Sequence, residues 1–160
     1  VNTKGIPPES LGIYGQSLGA LTALTTSQHT NDFSAIAVHD PPVNFETLVR
    51  EEMVYQGFPG FLFEPTSHYA NIFEGISLTL ITPETSLARS AKQPILIFNG
   101  MLDERILPHH SLDLVDLANS LGIETELYRY DDVGHVGSLW AYTDEFERLI
   151  VQFFNENLAS

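Results

Sequence analysis

Strands alternating with helices along one short chain predict an α/β protein of three layers, with helices on both faces of a mostly parallel sheet of about four strands. Three observations carry that prediction. "FSAIAVHD" (33–40) and "PILIFNG" (94–100) are apolar almost throughout, as strands buried on both faces must be. Stretches at helical spacing separate the strands. And 160 residues suffice for one domain with one sizeable core.

In chain order, "VNTKG" (1–5) reads as the last turn of a helix, with Gly5 as its stop. "LGIYG" (11–15) is a short apolar strand behind Pro7-Pro8, and "SLGALTALTTSQ" (17–28) places Leu18, Leu21 and Leu24 on one helical face. The strand at 33–40 ends at Pro41-Pro42. Residues 44–90 form an irregular insertion suited to a pocket wall or lid. Within it, "NFETLVREEMVYQG" (44–57) is a helix capped by Asn44 and ended by Gly57. An aromatic run "GFPGFLFEP" (57–65) and a short helix near 67–75 follow. After the strand at 94–100, "PHHSLDLVDLANSLG" (108–122) opens on Pro and closes on Gly, as helices do. "IETELYRYDD" (123–132) alternates as a fourth strand, and 138–158 is a single amphipathic closing helix.

Seven basic against 21 acidic residues give a formal charge of −14, a surface that repels nucleic-acid backbones and anionic membranes. No apolar run is long enough to span a bilayer. The chain has no cysteine, so it holds no disulfide, thiolate nucleophile or cysteine metal site, a composition that fits either side of a cell membrane.

Chemistry enters at Gly15-Gln16-Ser17-Leu18-Gly19. A serine on a sharp strand-to-helix turn is held clear of its neighbours, with the helix N-terminus pointing amides and a positive dipole at it. Ser17 is the candidate nucleophile, and the Leu18 amide a candidate oxyanion donor. A serine nucleophile needs a base, and the base an orienting acid. Of six histidines, His29 sits at a helix end, His39 closes the second strand and can line a site, and His68 falls in the insertion. His109 and His110 open a helix and are expected to face solvent. His135 lies in "YDDVGHVGS", a glycine-flanked loop after the fourth strand, where parallel sheets gather their ligand-binding residues. Asp103 follows the third strand in "FNGMLDERILP"; Glu104 would point elsewhere, and Asp131 and Asp132 are runners-up too close to His135 in sequence. Nucleophile, acid and base then follow three separate strands in the order Ser17, Asp103, His135.

These segments resemble the C-terminal half of an α/β-hydrolase catalytic domain, most closely the prolyl oligopeptidase (S9) family and its esterase relatives. "LGIYGQSLGA" is similar to the nucleophile segment, "PILIFNGMLDERILP" to the acid segment, "YRYDDVGHVGS" to the histidine loop, and "AIAVHDPPVNFETLVREEMVYQGFPG" to the segment lining the substrate pocket. Ala20 departs from the second glycine of many S9 members. The resemblance implies a partial α/β-hydrolase fold in which the N-terminal strands, and the loop giving a second oxyanion donor, are not in this chain. It also implies a serine hydrolase that cleaves an ester or peptide bond through an acyl-enzyme on Ser17, His135 and Asp103, with no metal or cofactor. Gln16, Tyr55, Phe58 and Phe61, with Phe63, are the candidate substrate-binding residues. An N-terminal half missing from the sheet would leave an edge open to a complementing segment or to a second copy of the chain. The alternative is a non-catalytic half-domain that binds a protein partner, or itself, through that edge.

Overall fold

The structure, a computed structural model, describes residues 5, 7–27, 32–75, 83–89 and 92–158. Four strands, β1 (Gly12–Gln16), β2 (Ala35–His39), β3 (Ile95–Gly100) and β4 (Thr125–Tyr130), pair in the order β1-β2-β3-β4, all parallel. The helices are α1 (Leu18–Thr26), α2 (Phe45–Tyr55), α3 (Phe63–Glu74), α4 (Pro83–Leu87), α5 (His109–Ser120), α6 (Ser138–Ala141) and α7 (Thr143–Asn157).

Alternation along β2 and β3 divides the core in two. Ile36, Val38, Ile95 and Ile97 face one way and pack with Leu24 of α1 and Leu114 of α5. Ala35, Ala37, Leu96 and Phe98 face the other way and pack with Phe146, Leu149 and Phe153 of α7. Both central strands are therefore covered on both faces, which is why neither alternates in sequence. Each of these larger side chains contributes roughly 1.5–3 kcal/mol when fully buried. β1 pairs only with β2 among the described residues, and its outer side is a groove along Ile13, Tyr14, Gln16, Gly19 and Thr22.

Among the described residues, the insertion is more regular than the sequence suggests. Asn44 caps α2 by accepting from the Thr47 amide at 3.1 Å, and Gly75 ends α3 in the left-handed conformation. Helix α3 begins at Phe63, four residues ahead of the expected start. The closing helix is two helices: Tyr142, with φ −128° and ψ 39°, separates α6 from α7, and its hydroxyl bonds Asp132 at 2.7 Å. Residues 1–4, where the end of a helix was expected, and His29 lie outside the described residues. Among the described residues no helix is long and apolar enough to cross a membrane.

Candidate active site

The segments that follow the four strands meet at the carboxyl edge of the sheet. Ser17 sits between β1 and α1 with φ 55° and ψ −130°, a region that costs a non-glycine residue free energy and persists only where its surroundings enforce it. They do so here through the Ser17 amide, which donates to the His39 carbonyl at 2.9 Å, and through Gly15. A Cβ on Gly15 would stand 2.3 Å from the Gly19 carbonyl oxygen, so only glycine lets strand and helix close. Gly19 has no such constraint, since a Cβ there would meet nothing within 4 Å.

Ser17 Oγ lies 3.0 Å from His135 Nε2, and His135 Nδ1 lies 2.7 Å from Asp103 Oδ2. Asp103 is buried, and its other oxygen accepts the amides of Arg105 at 2.8 Å and Ile106 at 3.0 Å, which fixes the carboxylate plane. The hydrogen bond to Asp103 holds the His135 pKa above its ordinary value, against the opposing effect of burial. As the first residue of α1, Leu18 has an amide with no acceptor inside the helix.

One group that sequence reasoning left out of the site holds it together. Asp40, buried at the end of β2 with φ 44°, accepts from the Val136 amide at 2.7 Å, the Gly100 amide at 2.9 Å and Asn99 Nδ2 at 3.1 Å. Burial pushes its pKa up to about 6. His39 does not line the site: it is fully buried, pairs with Ser138 Oγ at 2.9 Å and stacks on Phe146 with ring centres 5.5 Å apart. Burial lowers its pKa to about 4, so it stays neutral.

A cleft of about 370 Å³ opens beside Ser17, Leu18 and His135, walled by Phe45, Leu48, Val49 and Met53 of α2 with Phe58 and Ile106. Arg105 and Glu52 also line it, paired at 3.1 Å. Of the candidate substrate-binding residues, only Phe58 reaches this cleft. Gln16 lies on the β1 groove, and Tyr55 lines a neighbouring hollow. Phe61 is 75% exposed and is not among the residues that line the cleft. Phe63 is core, buried beneath the Arg50 guanidinium at 3.7 Å.

His110 is likewise buried, not solvent-facing. Glu51 of α2 bridges His109 Nε2 at 2.8 Å and His110 Nε2 at 2.9 Å, tying the cleft wall to α5. Glu51, His109 and His110 could be taken for a metal site. However, the two rings stack at 4.3 Å, which aims their nitrogens side by side, and His110 Nδ1 accepts the Val43 amide. Its Nε2 therefore carries the proton it gives to Glu51. Asp40, Asp103 and His135 also cluster, and the hydrogen bonds above occupy them.

Comparison with known proteins gives this arrangement a context. The model of the prolyl oligopeptidase family of peptidases (S9) matches residues 1–160. The chain belongs to that family. No curated protein matches this S9 chain at a significant level. Its fold is similar to that of a Pyrococcus furiosus esterase, at 18% identity and TM-score 0.68, over 92% of this chain and 54% of the esterase. It is similar also to a Pyrococcus horikoshii acylaminoacyl peptidase (17% identity, TM-score 0.75), over 94% of this chain and 24% of that one. A Mycobacterium tuberculosis puromycin-hydrolyzing peptidase gives 18% identity and TM-score 0.76, over 97% of this S9 chain and 23% of its own. The chain thus spans about half the length of the esterase and about a quarter of either peptidase.

Proposed function

We propose that this chain carries the catalytic centre of a serine hydrolase that cleaves an ester or peptide bond next to an apolar group. The observation that carries the reading is the continuous relay from Asp103 to His135 to Ser17, at 2.7 and 3.0 Å, ending on a serine held in strained backbone. In this reading His135 Nε2 takes the Ser17 proton as Oγ attacks the carbonyl carbon. Asp103 holds the Nδ1 proton and steadies the imidazolium that forms. The Leu18 amide donates to the oxyanion. His135 then returns the proton to the leaving group, and water repeats the sequence in reverse on the acyl-Ser17. The apolar wall from Phe45 to Phe58 suits an apolar acyl group or side chain of the substrate. Names of the similar structures include both esterase and peptidase activities, so both bond types belong in the test.

A second oxyanion donor is proposed to come from a segment outside this chain, seated along β1. Two observations support it: β1 is an unpaired edge among the described residues, and the chain spans only part of each similar structure. The test is turnover of p-nitrophenyl esters and aminoacyl p-nitroanilides with apolar acyl groups, wild type against Ser17→Ala. Slow, Ser17-dependent release of p-nitrophenol is expected, since one absent oxyanion donor costs about 100- to 1000-fold. A wild type no faster than Ser17→Ala on any substrate would overturn the reading. It would leave the open edge as the functional feature.

A further inference from the structure

The proposed reaction uses Asp103 as its acid, yet a second carboxylate lies just as deep. Asp40 is 0% exposed, and a buried carboxylate is costly unless it is fully hydrogen-bonded. Its bonds are supplied by neutral N–H groups from two separate places, Asn99 and Gly100 at the end of β3 and Val136 in the histidine loop. Three donors shared between two oxygens call for a carboxylate. An amide would turn its own NH2 against at least one of them.

Val136 adjoins His135 and is itself strained. It is β-branched, yet it has φ 54°, where such residues are rarely found. Its amide makes the shortest of the three bonds to Asp40, at 2.7 Å. The residue that sets the direction of the imidazole is therefore held in an unfavourable backbone by one carboxylate oxygen. Acceptor atoms of Asp40 and Asp103 lie within 4.8 Å of a His135 ring nitrogen.

We propose that Asp40 is a positioning residue for His135: it clamps the histidine loop through the Val136 amide and places a second negative charge behind the imidazole. This rests on reading Ser17, His135 and Asp103 as a hydrolytic triad. The imidazolium that forms as Ser17 loses its proton then sits against two carboxylates. Asp103 bonds it directly and Asp40 acts at a distance, as one of the charges that raise the His135 pKa. The other groups facing Asp40 are His39, with Nε2 3.8 Å away, Asn99, Asp103 and Tyr14, whose pKa burial first and Asp40 second push up to about 12. His39 is held neutral by burial, so it does not cancel the Asp40 charge.

Two readouts on the same chain test this: the rate of Ser17 phosphonylation by a fluorophosphonate across pH, and the titration of His135 by imidazole 15N NMR. Asp40→Asn is expected to label about ten- to a hundredfold more slowly at the pH plateau, the scale of a small misplacement of a catalytic group. Its His135 should titrate at lower pH than in wild type, carrying the acid limb of labelling with it. Labelling at the wild-type rate overturns the proposal. So does slower labelling with an unmoved His135 titration, because Asp40 would then be only a prop. If Asp40→Asn does not fold, wild type decides alone: the His135 resonances must show a second inflection where the Asp40 13C-carboxyl titrates, and a single inflection overturns the claim. If wild-type Ser17 does not label, the hydrolase reading fails, while the His135 titrations still decide the role of Asp40.

Discussion

The two glycines of the serine corner look alike in sequence and are expected to behave oppositely when changed to alanine. At Gly15 the new Cβ would lie 2.3 Å from the Gly19 carbonyl oxygen and 2.9 Å from Ala20 Cα. Both are backbone atoms, so no side chain can swing aside. Relief requires α1 to move off β1 by nearly an ångström, and overpacking of this kind costs about 1–3 kcal/mol. The same movement carries Ser17 away from His135, and a 1 Å misplacement of a reacting group costs on the order of 100-fold in rate. At Gly19 the Cβ meets nothing within 4 Å, and the position is helical with negative φ. Gly19→Ala should therefore be neutral, or stabilising by up to roughly 1 kcal/mol through lower backbone entropy in the unfolded chain. Urea unfolding of the two variants, with the rate of Ser17 phosphonylation, measures both effects. Equal destabilisation by the two changes, or an unaffected Gly15→Ala, would refute the close-approach account of the corner.

Three further outcomes follow from the site. Asp103→Asn keeps the shape of the acid but presents the wrong hydrogen-bond partner to His135 Nδ1, so Ser17 labelling should fall by on the order of 10⁴-fold. Labelling within tenfold of wild type would shift the acid role elsewhere. His39 has its pKa depressed from 6.5 to about 4, so the unfolded chain binds its proton more readily. The His39 contribution to stability is present above pH 6.5 and is lost as pH falls toward 4, an effect of roughly 3 kcal/mol. Asp40, with its pKa raised to about 6, works in the opposite sense, gaining stability as pH falls through 6. The two effects oppose each other in wild type, so His39→Gln, which removes one of them, should become more stable relative to wild type between pH 7 and pH 4.5 in urea unfolding. A constant difference between the two proteins would count against a neutral buried His39. Finally, Glu51→Ala strands His110 without its acceptor and releases the cleft wall from α5, at a cost of about 1–3 kcal/mol. For an apolar ester it should raise KM more than it lowers kcat, which steady-state kinetics would show.

The parallel sheet was legible because β2 and β3 are apolar on both faces, a pattern that few other arrangements produce. That Ser17, Asp103 and His135 come together was legible because each follows its own strand, and a parallel sheet brings strand ends together without any further information. What escaped notice depended on contacts between distant residues. Asp40 reads as the last residue of a strand that two prolines stop; its partners stand at 99, 100 and 136, and no local pattern announces them. Phe63 sits in an aromatic run with no period, so core and pocket could not be told apart there. Two misses did leave signals. His110, Leu114 and Ala118 recur every four residues, which marks His110 as part of the buried face of α5. Thr143-Asp144-Glu145 carries the acidic first turn of a helix, which announces that α7 starts there and does not continue from α6.

If Asp103 and His135 activate Ser17, a fluorophosphonate should react at that serine alone. Intact mass before and after exposure, with the modified residue mapped by peptide sequencing, shows whether it does. One adduct per chain on Ser17, absent in His135→Ala, is the predicted result. No adduct on Ser17, or an adduct that forms equally well in His135→Ala, would contradict it.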